Sequence, residues 1–432
     1  MAHESHEANT HGKQLPHELG APEFVNDWQR NALVAGLVCT VAAAGLGFAD
    51  GRGFDVDHVL RAWLLGLMLT FGFAVGGLAL LMVQYVSGGK WGLLLRRPLE
   101  AMSRTLPLVF AYWVVVALSL KKLYLWAAVM DVSAALKSGW INEVQAHAIE
   151  FKRPMLNAGA FIWASLACFA IWGFYAWRLN ALGLKRDTET LEATPKWIKR
   201  LENISGPGIV IYAITMTAAV IYWVMSLDPT WYSSVYGLLF LVGQAYQVLA
   251  LAIIVVISLS KGEPFKTILR QTEQHDLGKF TFAFVMLNIY LAFSQFLIIW
   301  SGNLPEEIPW YLDRVTGGWG VIITLDFIFH WLIPFTLLLS RDLKRNKKRL
   351  LRVCQWMVFA KAFDLFWLIE PNFKDAARNL HFSWGILEYA AVPVAMTAFW
   401  AAYFCVQLKA RPLVQTNDPH LEEILEPEHV HA

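Results

Sequence analysis

The chain has 432 residues, of which 56% are hydrophobic and 16% charged; it carries 20 Trp and a formal net charge of +2. This balance excludes a soluble domain, and no nucleic acid is expected as a partner; it predicts a polytopic helical membrane protein in a lipid bilayer. Cys39, Cys168, Cys354 and Cys405 are scattered through apolar runs, with no CxxC, CxxCH or Cys/His cluster, which argues against zinc, c-type haem, iron–sulfur ligation and a disulfide framework.

Residues 1–30 are polar and contain His3, His6, His11 and His17. They read as a solvated tail rather than a metal site. They are no signal peptide, because the apolar stretch begins only near Asn31 and no small-residue cleavage pattern follows it. About ten runs long enough to cross a bilayer follow. They lie at 31–48, 60–86, 105–128, 158–180, 207–227, 235–259, 280–300, 318–340, 350–370 and 383–407. The predicted fold class is an all-α polytopic membrane protein. A first four-helix bundle (60–227) and a second (235–370) are flanked by the helices 31–48 and 383–407, with a tail at 408–432. The two bundles rest on a faint repeat: Tyr85–Arg96 (YVSGGKWGLLLR) and Ile257–Arg270 (ISLSKGEPFKTILR) both join apolar spans through a turn and a short amphipathic piece ending in Arg.

Lys and Arg concentrate in alternate turns. Lys90, Arg96, Arg97 and Arg104 follow the second span; Arg178, Lys185, Arg186, Lys196, Lys199 and Arg200 the fourth; Lys261, Lys266, Arg270 and Lys279 the sixth; Arg341 through Arg352 the eighth. Positive residues favour the cytoplasm, so these turns and both termini are predicted to be cytoplasmic. The acidic end, with Glu422, Glu423, Glu426 and Glu428, reads as solvated.

On the other side the end of the third run and the loop after it hold Lys121, Lys122, Tyr124, Trp126, Asp131, His147 and Glu150. A quinol site needs an apolar pocket near one membrane face and a few groups that bond ring oxygens and accept protons. Lys121, Lys122, Tyr124, Asp131, His147 and Glu150 are the candidates for it, although both lysines also suit snorkelling to the surface. The aromatics of Ser226–Tyr236 and of Trp310–Tyr311 read as an interfacial belt.

The strongest signal lies in two spans joined by the basic turn Arg341–Arg349 (RDLKRNKKR). Asp326 and His330 are four apart on the first span, and Lys361 and Asp364 three apart on the second, so each pair shares a helix face. Counted from the turn, His330 and Lys361 lie about 15–16 Å deep, and Asp326 and Asp364 about 21 Å. An ionisable group at mid-bilayer costs roughly 2.5–3.5 kcal/mol or more, so four on adjacent spans need a reason. A self-neutralising packing cluster is the bland reading; a proton path through Asp326, His330, Lys361, Asp364 and Glu388 is the functional one. Gln244, Gln247, Asn288, Ser294 and Gln295 add polar groups nearby, the type that commonly glues helices together. Only His330 lies clearly inside a span, so a b-type haem is not expected, and no P-loop, GxSxG or HExxH occurs. Any electron transfer would be carried by other subunits.

Ser226–Gly237 (SLDPTWYSSVYG), Phe293–Tyr311 (FSQFLIIWSGNLPEEIPWY) and Arg411–His420 (RPLVQTNDPH) resemble the ActF-type chains of the NrfD-like (polysulfide reductase membrane subunit) family, integral membrane subunits of bacterial alternative complex III. The resemblance covers nearly the whole chain. It implies a cofactor-free subunit of a quinol:cytochrome c oxidoreductase in the bacterial inner membrane, with no complete active site in this chain alone. The implied partners are the sibling NrfD-like subunit ActC, an iron–sulfur subunit, c-type cytochrome subunits and small membrane subunits. Haem c and iron–sulfur clusters would reside in those partners, with quinol as the ligand of the membrane part and proton half-channels as this chain's share. Two other classes fit a buried charge cluster: a proton-coupled secondary transporter, and a purely structural anchor for redox subunits.

Overall fold

The computed structural model describes residues 19–49, 56–373 and 385–425, with backbone alone at 46–49 and 385–388. His3, His6, His11, His17, Glu426 and Glu428 lie outside the described residues. Every regular element among the described residues is a helix. The long ones are α1 (Phe24–Ala49), α2 (Val56–Ser87), α3 (Trp91–Ser103), α4 (Leu106–Leu118), α5 (Ala158–Thr188) and α6 (Thr194–Trp223). After them come α7 (Tyr236–Leu259), α8 (Gln271–Gly302), α9 (Trp319–Leu339), α10 (Lys347–Ile369) and α11 (Gly385–Lys409). Eight helices among the described residues are long and apolar enough to cross a membrane, with α3 and α4 acting as one. The fold is all-α and polytopic. Helix α10 has 23 residues, also enough to cross, with Lys361 and Asp364 in its interior.

A helix apolar on every side belongs in the middle of the protein. The apolar stretch of α2 is wholly buried, whereas those of α5 and α8 are 28% buried and face outward. Helix α2 packs against α3, α4, α6, α7, α10 and α11, and α1 lies along α11. Helices α2 and α7 approach closely because α2 is small at the crossing: a Cβ on Gly76 would stand 2.9 Å from Val248 Cγ2 and 3.0 Å from Gln244 Cβ. On its other sides α7 packs against α6, α8 and α10.

Two sequence expectations change here. The third span is Trp91–Leu118, not 105–128; residues 120–128 form two short helices, Leu120–Leu123 and Leu125–Ala128, interrupted at Tyr124. Arg96 and Arg97 are also not in a solvated turn. They lie in α3 and are 1% and 4% exposed. Two guanidiniums leave water only when carboxylates and carbonyls replace it. Glu100, on the same face of α3 and fully buried, accepts from Arg96 Nε at 3.0 Å and Arg97 Nη1 at 2.7 Å. Asp187 at the end of α5 accepts from both arginines, at 3.0 and 2.5 Å.

The C-terminal segment closes this lattice instead of lying free in solvent. Arg411 Nη1 donates to Glu100 Oε2 at 3.2 Å, Arg96 donates to Gln415, and Arg186 pairs with Asp418 at 2.9 Å. Leu413, Val414, Leu421 and Ile424 are buried, while Glu422 and Glu423 are exposed and Glu423 pairs with Lys90. Removing one partner of a buried ion cluster strands the others, at about 3–5 kcal/mol. Glu100→Gln should therefore lower the melting temperature sharply in detergent, and Glu423→Gln should leave it unchanged. Thiol-reactive dye melts read this directly, because Cys168, Cys354 and Cys405 are buried.

Candidate functional site

The site is set by a proline. Pro334 has no N–H for the carbonyl four residues earlier, which belongs to His330, so an α-helical bond is lost there. The chain answers with a π-helical segment, Phe327–Leu332, inside α9. The freed carbonyls find side chains: Tyr246 of α7 donates its hydroxyl to His330 O at 3.0 Å, and Trp356 Nε1 of α10 donates to Phe329 O at 3.0 Å. The irregular turn is thus clamped from two neighbouring helices with the His330 ring facing inward, 4.6 Å from the Tyr246 ring.

Asp326, His330, Lys361 and Asp364 come together as their spacing suggested. Asp364 is the common neighbour. Its Oδ2 accepts from Lys361 Nζ at 2.6 Å and stands 3.8 Å from His330 Nδ1. Asp326 Oδ1 is 4.0 Å from the same Nδ1. Lys361 packs against α7 at Gly243, where a Cβ would stand 2.8 Å from Nζ.

The cluster borders a cavity of about 200 Å³ whose polar lining adds Asn288 and Gln295 from α8. Its other walls are apolar and largely aromatic, with Phe240, Phe296, Trp310, Tyr311 and Trp331 among them. Phe293 and Phe327, which also line it, are 57% and 46% exposed, so the cavity reaches the outer surface between α8 and α9. Buried polar atoms nearly always have a partner. Here both His330 ring nitrogens, Asp326 Oδ1 and Gln295 Oε1 have none in the protein. Near the cavity's Trp310 lies Arg314, 1% exposed, which donates to Trp310 O and Leu368 O, both at 3.0 Å, and to Asn372 Oδ1 at 2.9 Å. Burial of this guanidinium, in the connection between spans, lowers its pKa to about 10.

One nitrogen and two carboxylate oxygens within 4.8 Å of one another are a metal-sized set. Lys361 argues against that use, because its ammonium occupies Asp364 Oδ2 and a cation there would repel an ion. The groups suit proton exchange better: an imidazole between two carboxylates, one paired and one not.

The other expected residues lie elsewhere. Glu388 belongs to α11, and its side chain falls outside the described residues. Gln244 accepts from Tyr212 at 2.7 Å and Gln247 donates to Leu69 O at 2.9 Å, so both tie α7 to its neighbours. Of the quinol-region candidates, Tyr124 is buried and donates to Trp223 O at 2.9 Å, while Lys122 pairs with Asp57 at 3.1 Å on the surface. Lys121, His147 and Glu150 are exposed. Asp131 caps the helix Val132–Lys137, and the bonds it accepts from Ala134 N–H and the Ser133 hydroxyl hold its carboxyl below the usual range. These six residues do not converge on one pocket, and none lines the cavity beside Asp364. The residues that sequence reasoning missed are Tyr246, Gly243 and Arg314; Pro334 inside an apolar run was the available signal for the first.

The asymmetry of the two aspartates is testable. Asp364→Asn strands Lys361 and should cost about 3–5 kcal/mol. Asp326→Asn removes no protein partner and should melt near wild type. Adding Lys361→Met to Asp364→Asn should recover most of the loss in a double-mutant cycle followed by thermal melts. Compared with known proteins, the chain matches no family model and no curated protein.

Proposed function

We propose that the chain is a cofactor-free membrane subunit of a quinol:cytochrome c oxidoreductase of the alternative complex III type, and that it supplies a proton path. The observation that carries the proton path is the unpartnered His330 and Asp326, facing a cavity beside the Lys361–Asp364 pair inside a span. Ionisable chains within spans mark proton relays. The assignment to the complex rests on the resemblance of the three sequence stretches.

In this reading Lys361 balances Asp364, and His330 carries a proton between Asp364 and Asp326. The separations of 3.8 and 4.0 Å exceed a hydrogen bond, so a small ring rotation or one water closes each gap. His is the natural relay, since its unperturbed titration lies nearest neutral pH. Partner subunits would hold the haem c and the iron–sulfur clusters and deliver the electrons.

The decisive measurement is protons moved per electron in vesicles, at matched complex content. Asp326→Asn should assemble and oxidise quinol but translocate fewer protons. An unchanged ratio would leave the cluster as packing. Isolation from native membranes without haem- or cluster-bearing partners would instead favour a transporter.

The proposal also places the basic turns in the cytoplasm of a bacterial inner membrane. With a membrane-impermeant maleimide on intact cells, Glu306→Cys should label and Lys348→Cys, in the Arg341–Arg349 turn, should not. Both positions are exposed, so burial cannot produce the difference.

A further inference from the structure

A second hollow shares no lining residue with the cavity beside the aspartate cluster. It is a groove of about 770 Å³ between α3–α4 and α5. Most of its length is apolar, with Phe110, Leu166, Phe169 and Trp177 along it. Trp177 and Phe110 are 64% and 36% exposed, so the groove opens sideways. One end is different: Arg104 and Arg411 line it together with Asn180 and Gln407.

The charge there is not balanced. Arg96, Arg97 and Arg411 share two carboxylates, Glu100 and Asp187, and Arg104 stands near them as a fourth cation. Arg411 is held by Glu100 and by Asn180 Oδ1, at 3.2 and 3.0 Å. Arg104 donates to the Gln407 carbonyl, has no carboxylate partner among the described residues, and its buried Nε has no hydrogen-bond partner. A cation with spare donors at the end of a sideways-open apolar groove matches a molecule with an anionic head and hydrocarbon chains. Basic pockets between spans are the recognised form of anionic-lipid site.

We propose that this groove binds one anionic glycerophospholipid, its phosphate on Arg104 and Arg411 and an acyl chain along Phe110, Phe169 and Trp177. The site is separate from the proton path and stands whether or not that reading holds.

The chain, in whatever complex it purifies with, is tested in mild detergent by native mass spectrometry and by melts against added lipid. Phosphatidylglycerol should be retained and should raise the melting temperature more than phosphatidylcholine does. Arg104→Gln should lower retention about fivefold, the effect of removing one cation from an anionic-lipid contact. Gly173→Leu tests the groove by volume and leaves the charges untouched. Gly173 lines the groove, and a Cβ there meets nothing within 4 Å, so a side chain can be added at that point of the wall. It too should lose retained lipid while keeping the wild-type melting temperature in lipid-free detergent. Equal effects of both lipids, an equal shift from inorganic phosphate alone, or full retention in either variant would overturn the proposal.

Discussion

The Lys361–Asp364 ion pair, 2.6 Å long and inside α10, is the constraint around which the second half of the molecule is arranged. An ammonium and a carboxylate in that position are tolerable only if both are surrounded by protein. Helix α7 accordingly gives up a side chain at Gly243 to seat the ammonium. Helix α9 deforms into a π turn beside the carboxylate, and Tyr246 and Trp356 take up the carbonyls that the deformation frees. The α7–α9–α10 packing thus serves one pair of charges.

The molecule contains a second buried charge cluster built on the opposite principle. Around Glu100 the carboxylate oxygens are saturated: three arginines converge on them, and Asp187 ties two of those arginines to α5. Such a network fixes geometry, and it joins α3, α5 and the C-terminal segment into one unit. Around His330 the bonding is incomplete, with orphaned nitrogens and an orphaned carboxylate oxygen next to a cavity. Incomplete bonding costs stability.

Both hollows follow from where the helices fail to close. Helices α5, α8 and α9 are the most exposed of the spans whose burial is known; α5 forms one wall of one sideways-open space, and α8 and α9 border the other. What differs is the polar end of each: excess guanidinium against α5, and carboxylates with imidazole against α8. The same architecture therefore presents one face suited to an anionic head group and another suited to proton exchange.

The sequence by itself determined the helices and most of their limits, because burying a backbone in hydrocarbon leaves only long apolar helices. It also brought Asp326, His330, Lys361 and Asp364 to one place, since helical spacing and a short turn suffice for that. Pro334 announced an irregularity without saying what would repair it. What only the tertiary structure decided was partnership. Asp364 stands between Lys361 and His330, at 2.6 and 3.8 Å, because α9 packs against α10. Arg96 and Arg97 looked like turn residues and are buried, because their compensation comes from Asp187 and from residues such as Gln415, 319 positions away. Of Lys121, Lys122, Tyr124, Asp131, His147 and Glu150, Tyr124 is buried against Trp223 while the other five are exposed, because nearness along the chain does not fix direction. Helical periodicity is a local property and can be read from the chain; the neutralisation of a buried charge is settled by whichever distant segment packs against it.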